Sequence, residues 1–392
     1  MSESFSTIAA ILAWPLAIAV AWLAGEFGQR WLLLPRISSY GIAGFFMAVS
    51  QGGFLAAPSG SAILLLADFA FSLMLFELGF RINLRWLRAD PWLGVTSLVE
   101  SAATFAAIFL LARFMEVPMM PALLLAALAM STSPAAVVRV VNELKSSGQV
   151  TERLLHLSAF NCVLAVVVFK MVVGYWILSS AGSLFHAAWN SLMVVAVSAG
   201  IGVLFGVAVP ALLRGSGAVG RNATVAFAIA VLLLTALTLG FSFSPLLAAL
   251  VFGLVARHRR VIFSQAQNNF GALGDLLTVL LFVFVAASVE WKQVVDGAGL
   301  ALAVLVVRLA VKMLSTTLFA RLSGITWRKG ALTGLAMTPM SVFVILLLEH
   351  TRHLDLGAFE QVAGIAAIVI FLEVAAPVLT QRALVWAGEA RR

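Results

Sequence analysis

Charge is scarce in this chain. Asp, Glu, Lys and Arg together make up 11% of its 392 residues, whereas 62% are hydrophobic, so a soluble domain of this composition would lack the polar groups to cover its own surface. Lipid must cover it instead. Cysteine is nearly absent: the one thiol, Cys162, lies inside an apolar run and excludes an intramolecular disulfide or a zinc cluster. The sequence also lacks a catalytic triad, a Gly-rich phosphate loop and a paired ligand motif, which argues against an enzyme and implies no cofactor. The formal net charge of +8 does not point to nucleic acid, because the basic residues are scattered singly into short loops without interleaved aromatics.

What the chain does have is apolar length. Runs of about eighteen residues or more recur from end to end, enough to cross a hydrocarbon core of about 30 Å. They predict an all-α membrane protein with about thirteen spanning helices, near 7–28, 34–51, 61–82, 91–115, 119–144, 152–178, 186–213, 222–240, 243–257, 271–289, 297–322, 329–349 and 360–386. The first run carries no basic leader or small-residue cleavage site, so it is expected to be a retained helix. No stretch remains for a soluble domain, and 1–392 is read as a single transmembrane unit in the lipid bilayer.

The loops alternate in charge. Arg30 and Arg36, Arg81, Arg85 and Arg88, Lys145 and Arg153, then Arg214 and Arg221 fall in every second connection. Arg257, Arg259 and Arg260, Arg321, Arg328 and Lys329, and the tail residues Arg382, Arg391 and Arg392 continue the series. Eighteen basic residues thus face three on the other side, Arg113, Lys292 and Arg352. The positive-inside rule then predicts a bacterial-type inner (plasma) membrane protein with its C-terminus cytoplasmic and its N-terminus outside.

Two segments echo one another: Ala129-Met130-Ser131-Thr132-Ser133-Pro134 in the fifth span and Ala336-Met337-Thr338-Pro339-Met340-Ser341 in the twelfth. Each sets a proline among small hydroxyl residues near mid-span, where the missing N–H breaks the helical ladder. Six spans on each side of a linker helix at 186–213 give a first repeat at 7–178 and a second, inverted one at 222–386, with two broken helices crossing at the midplane. The alternative is a pair of ordinary proline kinks.

Several further segments occur in a fixed order: Leu34-Pro35-Arg36-Ile37-Ser38-Ser39-Tyr40-Gly41, Leu75-Phe76-Glu77-Leu78-Gly79-Phe80, Ser131-Thr132-Ser133-Pro134, Leu157-Ser158-Ala159-Phe160-Asn161, Lys312 ahead of Arg321-Leu322-Ser323-Gly324, and Glu373-Val374-Ala375-Ala376-Pro377. In this the chain resembles the cation:proton antiporters, in particular the branch of bacterial sodium/proton antiporters and glutathione-gated potassium efflux proteins. The resemblance implies a homodimer that exchanges a monovalent cation, Na⁺ or K⁺, for protons by alternating access. Spans four to six and eleven to thirteen would form a transport unit sliding against a dimerisation unit. It also marks a departure. The sixth span of the family usually carries an aspartate as the second member of a pair, and here the pair reads Asn161-Cys162. A thiol at its reference state is neutral at pH 7, and sulfur is a poor ligand for hard Na⁺ or K⁺. The twelfth span likewise offers Met340-Ser341-Val342 in place of a charged signature.

An ionisable residue at the bilayer centre costs about 2.5–3.5 kcal/mol on the insertion scale, so each needs a partner or a purpose. Lys312 matches the family's basic residue in the eleventh span, and Arg308 lies one turn before it. Either a carboxylate among Glu100, Glu373 and Glu77 pairs with one of them, or Lys312 is neutral, or an anion binds there. Glu100, with Ser97 and Ser101 as neighbours, is the candidate replacement carboxylate or else an acid hydrogen-bonded within the bundle. Lys170 either shares a face with Cys162 or snorkels to the interface, and Glu77 and Asp68 read as structural. Thr132, Ser133 and Asn161 offer neutral oxygens beside the free helix ends. Three functions remain open: cation/proton exchange, a non-transporting scaffold of the same fold, and passage of another small ion.

Overall fold

A computed structural model of the protein describes residues 2–56, 61–83, 85, 89–178, 184–215, 223–259, 264–289, 291–341, 372 and 375–390. Among them regular structure is helical throughout, apart from one isolated bridge between Ala48 and Leu55. The helices are α1 Ser2–Leu32, α2 Arg36–Met47, α3 Ser61–Arg81, α4 Trp92–Phe114, α5 Met119–Ala129, α6 Pro134–Glu143 and α7 Gln149–Leu178. They continue with α8 Leu184–Gly215, α9 Ala223–Gly240, α10 Pro245–His258, α11 Ser264–Ala287, α12 Trp291–Leu318 and α13 Trp327–Ala336, then α14 at 375–386. The expected second span stops early. α2 ends at Met47, and the chain turns back through Gly52, at φ 85°, so that Leu55 N–H donates to the Met47 carbonyl at 2.8 Å. Most of the far part of the expected twelfth span and the first part of the thirteenth lie outside the described residues.

Six of the described helical stretches are long and apolar enough to cross a membrane. Leu16, Phe114, Leu212, Val225, Val306 and Leu314 point outward with more than half of their surface exposed, as lipid-facing side chains do. The fifth span is the exception. It is 94% buried, and it is the one whose ladder is interrupted, between α5 and α6. Irregular backbone at membrane depth is tolerated where protein surrounds it.

The helices pack in two groups. In one, α3 lies against α10, α10 against α8, and α11 against α2 and α3. Glycine allows the closest of these approaches: a Cβ on Gly79 would sit 2.1 Å from the Leu250 carbonyl oxygen, and one on Gly253 would sit 2.1 Å from that of Phe76. The Phe76, Phe227 and Phe252 rings fill the space beside that crossing, with centroids 4.7–5.8 Å apart. In the other group α4 packs on α5, α7 and α12, α6 packs on α7, and α12 packs on α13, while α6 also touches α3 of the first group. There a Cβ on Gly334 would lie 2.5 Å from Met313 Cα. The second group holds Glu100, Arg308 and Lys312, the buried charges at the centre of the site.

Candidate ion-binding site

The site grows out of the break in the fifth span. α5 stops at Ala129, the chain runs extended through Ser133, and α6 starts with Ser133 as its cap, the hydroxyl accepting from Ala136 N–H at 3.2 Å with Pro134 in the first helical position. The second segment mirrors it, since α13 ends at Ala336 and residues 337–341 are not helical. The two cross. Ser133 N–H donates to the Pro339 carbonyl at 2.9 Å, and the Thr132 hydroxyl donates to the Met337 carbonyl at 3.4 Å.

A broken helix leaves carbonyls without partners and a partial negative charge at its C-terminal end. Arg308 meets that need at both breaks. Its guanidinium, 1% exposed, donates through Nε to Ala129 O at 2.8 Å, through Nη2 to Ser131 O at 2.5 Å and to Pro339 O at 3.3 Å, and through Nη1 to Thr338 O. The fork of fixed N–H groups suits a cluster of carbonyls pointing inward.

Lys312, one turn along α12, is completely buried and turns to a carboxylate instead. Its Nζ lies 2.5 Å from Glu100 Oε1, with Met130 O at 3.2 Å and Thr132 Oγ1 at 3.4 Å. Glu100, also 0% exposed, accepts further from Thr104 Oγ1 at 2.9 Å and from Asn161 Nδ2 at 2.5 Å. Asn161 is oriented in turn by Ser97 and Ser101, whose hydroxyls donate to its Oδ1 at 2.8 and 3.2 Å. The carboxylate is thus surrounded by an ammonium, an amide and a hydroxyl, all donors. Cys162 is displaced from this cluster: its thiol donates to the Thr132 carbonyl at 3.3 Å.

The structure therefore brings together Glu100, Asn161, Lys312 and Thr132, with Ser133 and Arg308 at the adjoining crossing and Cys162 on its flank. Glu77 is elsewhere, within reach of Arg81, Arg139 and Asn142. Glu373 lies outside the described residues. Lys170 is partly exposed further along α7, and Asp68 is buried in α3. Sequence reasoning passed over Arg139. It hides in the valine-rich run 137–141, and the signal that marks it is the polar spacing of Arg139, Asn142 and Glu143, which places all three on one helical face.

Buried charges on α4 and α12, seated against two interrupted, crossing segments inside a multi-pass helical bundle, define a membrane transport protein of the exchanger type. The family follows. Residues 16–386 match the family described as sodium/hydrogen exchanger, transmembrane, and the chain belongs to it. Among solved structures it is similar to the sodium proton antiporter MjNhaP1 from Methanocaldococcus jannaschii at pH 8, with a TM-score of 0.72, 17% identity and 97% of each chain covered. A map of the same antiporter from electron microscopy gives a TM-score of 0.73 at 18% identity, covering 97% of this chain and 96% of that one. At such identity the similarity shows the fold. The sequence matches no curated protein. Membership of this family makes the chain a transporter rather than an enzyme, and supports a cation and protons as what it moves.

Proposed function

We propose that the protein exchanges Na⁺ or K⁺ for protons by alternating access, with the Glu100–Lys312 pair as the point where cation and proton compete. The observation that carries this reading is the 2.5 Å contact between Lys312 Nζ and Glu100 Oε1, sealed from solvent beside the crossing. With its ammonium in place, Lys312 neutralises the carboxylate and leaves no room for a second cation. Once that proton leaves, Glu100, the Met130 carbonyl and the Thr132 hydroxyl present hard oxygens suited to an alkali ion. Reprotonation of Lys312 then returns the ammonium to Glu100 and expels the ion. Coupling arises from exclusion, with the helix-four carboxylate doing what the resemblance assigns to an aspartate at position 162.

Spans four to six and eleven to thirteen would move as one unit against the rest, within a six-plus-six inverted repeat. The protein would work as a homodimer in a bacterial inner membrane with its basic loops in the cytoplasm. The test is proton flux in reconstituted vesicles challenged with Na⁺, K⁺, Li⁺ and chloride. Flux driven by Na⁺ or K⁺ and abolished in both Glu100→Gln and Lys312→Met supports the reading, and cation-driven flux that survives both overturns it. A second reading, a non-transporting member of the fold, has Cys162 in its favour. Wild-type vesicles silent to all four ions would establish it. Passage of an anion is less favoured, because the donors of Arg308 face carbonyls and Lys312 faces a carboxylate.

A further inference from the structure

The half-helix α6 runs for ten residues from the break, and its valines are buried. Arg139, Asn142 and Glu143, at i, i+3 and i+4, share its polar face. Each reaches a helix of the other packing group. Arg139 Nη1 lies 2.6 Å from Asp275 Oδ1 on α11, and Nη2 lies 3.7 Å from Glu77 Oε2 on α3. Asn142 donates to Glu77 Oε1 at 3.1 Å and accepts from Arg81 Nη2 at 2.6 Å. The Glu143 carboxylate accepts from the backbone N–H of Arg36 and from the side chain of Gln29. The contrast with the Glu100 cluster is decisive. Glu100, Lys312 and Asn161 stand on α4, α12 and α7, all in one group, so that cluster travels intact when the groups shift. The contacts of α6 do not.

We infer that Arg139, with Asn142 and Glu143 beside it, is a latch between the moving helices and their support, and that its ion pairs open and close once per transport cycle. The inference rests on the exchange reading above. Arg139 is 7% exposed, and two of its nitrogens, Nε and Nη2, have no hydrogen-bond partner. One guanidinium thus stands between two carboxylates with a single tight contact made. Gly274 gives it room, since a Cβ there would lie 2.1 Å from Nη2. A cavity of about 200 Å³ adjoins it, lined in part by Glu26, Arg36, Tyr40, Arg139, Glu143 and Asp275. Asp275 is 63% exposed on that side. Charges released there face a cavity lined by further charged and polar groups, so opening does not strand them against an apolar surface. Arg139 acts as a positioning residue: it sets how readily the groups part, and touches no transported ion.

The test uses the full chain, purified and in vesicles, as Arg139→Gln, Asp275→Asn and the double variant. Each single change is expected to raise deuterium uptake in peptides covering 134–143 and 264–287 by about threefold or more, and the double to add nothing further. In vesicles each single change is expected to alter the maximal exchange rate by about threefold or more, with the half-saturating cation concentration held within about twofold. Unchanged uptake in both singles, additive effects in the double, or a changed half-saturation at an unchanged maximal rate would each overturn the latch. If Arg139→Gln does not fold, Asp275→Asn and Glu77→Gln carry the same comparison from the supporting side. A wild type without cation-driven flux defeats the exchange reading, and the latch's cycle with it. Unchanged uptake in an active wild-type background defeats the latch alone.

Discussion

Arg308 and Lys312 stand one turn apart on α12, both fully buried, and they answer to different partners: the guanidinium to four backbone carbonyls, the ammonium to the Glu100 carboxylate 2.5 Å away. Two like charges at this spacing repel. The division relieves the repulsion by giving each cation its own negative potential, helix ends for one and a side chain for the other.

Arg308→Met should therefore be among the most damaging single changes. It strips donors from Ala129, Ser131, Thr338 and Pro339 at once, and the loss is expected to be about 3–5 kcal/mol, the range for breaking a buried charged network. Arg308→Lys should recover little of it, because one ammonium has only three donors for four carbonyls on two separate segments. Thermal unfolding in detergent, followed by the monodisperse fraction, reads both. A lysine variant as stable as wild type would contradict this account.

The Glu100–Lys312 pair should show coupling. Each single change, Glu100→Gln or Lys312→Met, leaves one buried partner uncompensated and should lower the melting temperature clearly. The double variant should lie well above the sum of the two, by about 1–3 kcal/mol of interaction energy. Additive losses would mean that the contact contributes nothing to the resting state.

Cys162→Asp should raise cation-driven proton exchange severalfold over wild type. The thiol now donates to the Thr132 carbonyl at 3.3 Å. An ionised aspartate there would face an acceptor with an acceptor, and only a proton or a bound cation relieves that opposition. The two then compete at a second carboxylate beside the first. Internal pH of vesicles under an imposed Na⁺ or K⁺ gradient measures the outcome, and a folded but silent variant would favour the non-transporting reading.

Glycines divide into those the fold needs and those it does not. Gly79→Val places a side chain against the Leu250 carbonyl, and the close contact of α3 with α10 should fail, with loss of folded protein on expression. Gly299→Ala, in α12 with no atom within 4 Å of the added Cβ, should be neutral or stabilising by about 0.5–1 kcal/mol. Expression level and melting temperature of the two variants make the comparison.

Much of this could be read in the sequence, and the limit has a physical origin. Spans are local: an apolar run of membrane length announces itself, and Ser133-Pro134 and Thr338-Pro339 announce where a ladder breaks. That Lys312 needs a carboxylate is also legible, because a buried ammonium without one is too costly. Which carboxylate is not, since Glu100 is 212 residues away and two other acids were available on sequence grounds. The backbone carbonyls that hold Arg308 leave no mark at all, because every residue has one. Arg139 escaped notice for a related reason. Its partner Asp275 is 136 residues away, and a lone arginine in a run of valines resembles a loop residue displaced by a turn.

The grip of Arg308 on main chain rather than side chains has a consequence for how this scaffold can change. Carbonyls at positions 129, 131 and 338 persist under nearly any replacement there, so the grip of Arg308 does not depend on those three side chains. Much of the crossing's hold is lodged in a single codon, that of Arg308, beside the Ser133 and Thr132 bonds that join the two segments directly. The sulfur of Cys162 on the flank can be exchanged for another ligand, and a new ion preference tried, without taking the crossing apart.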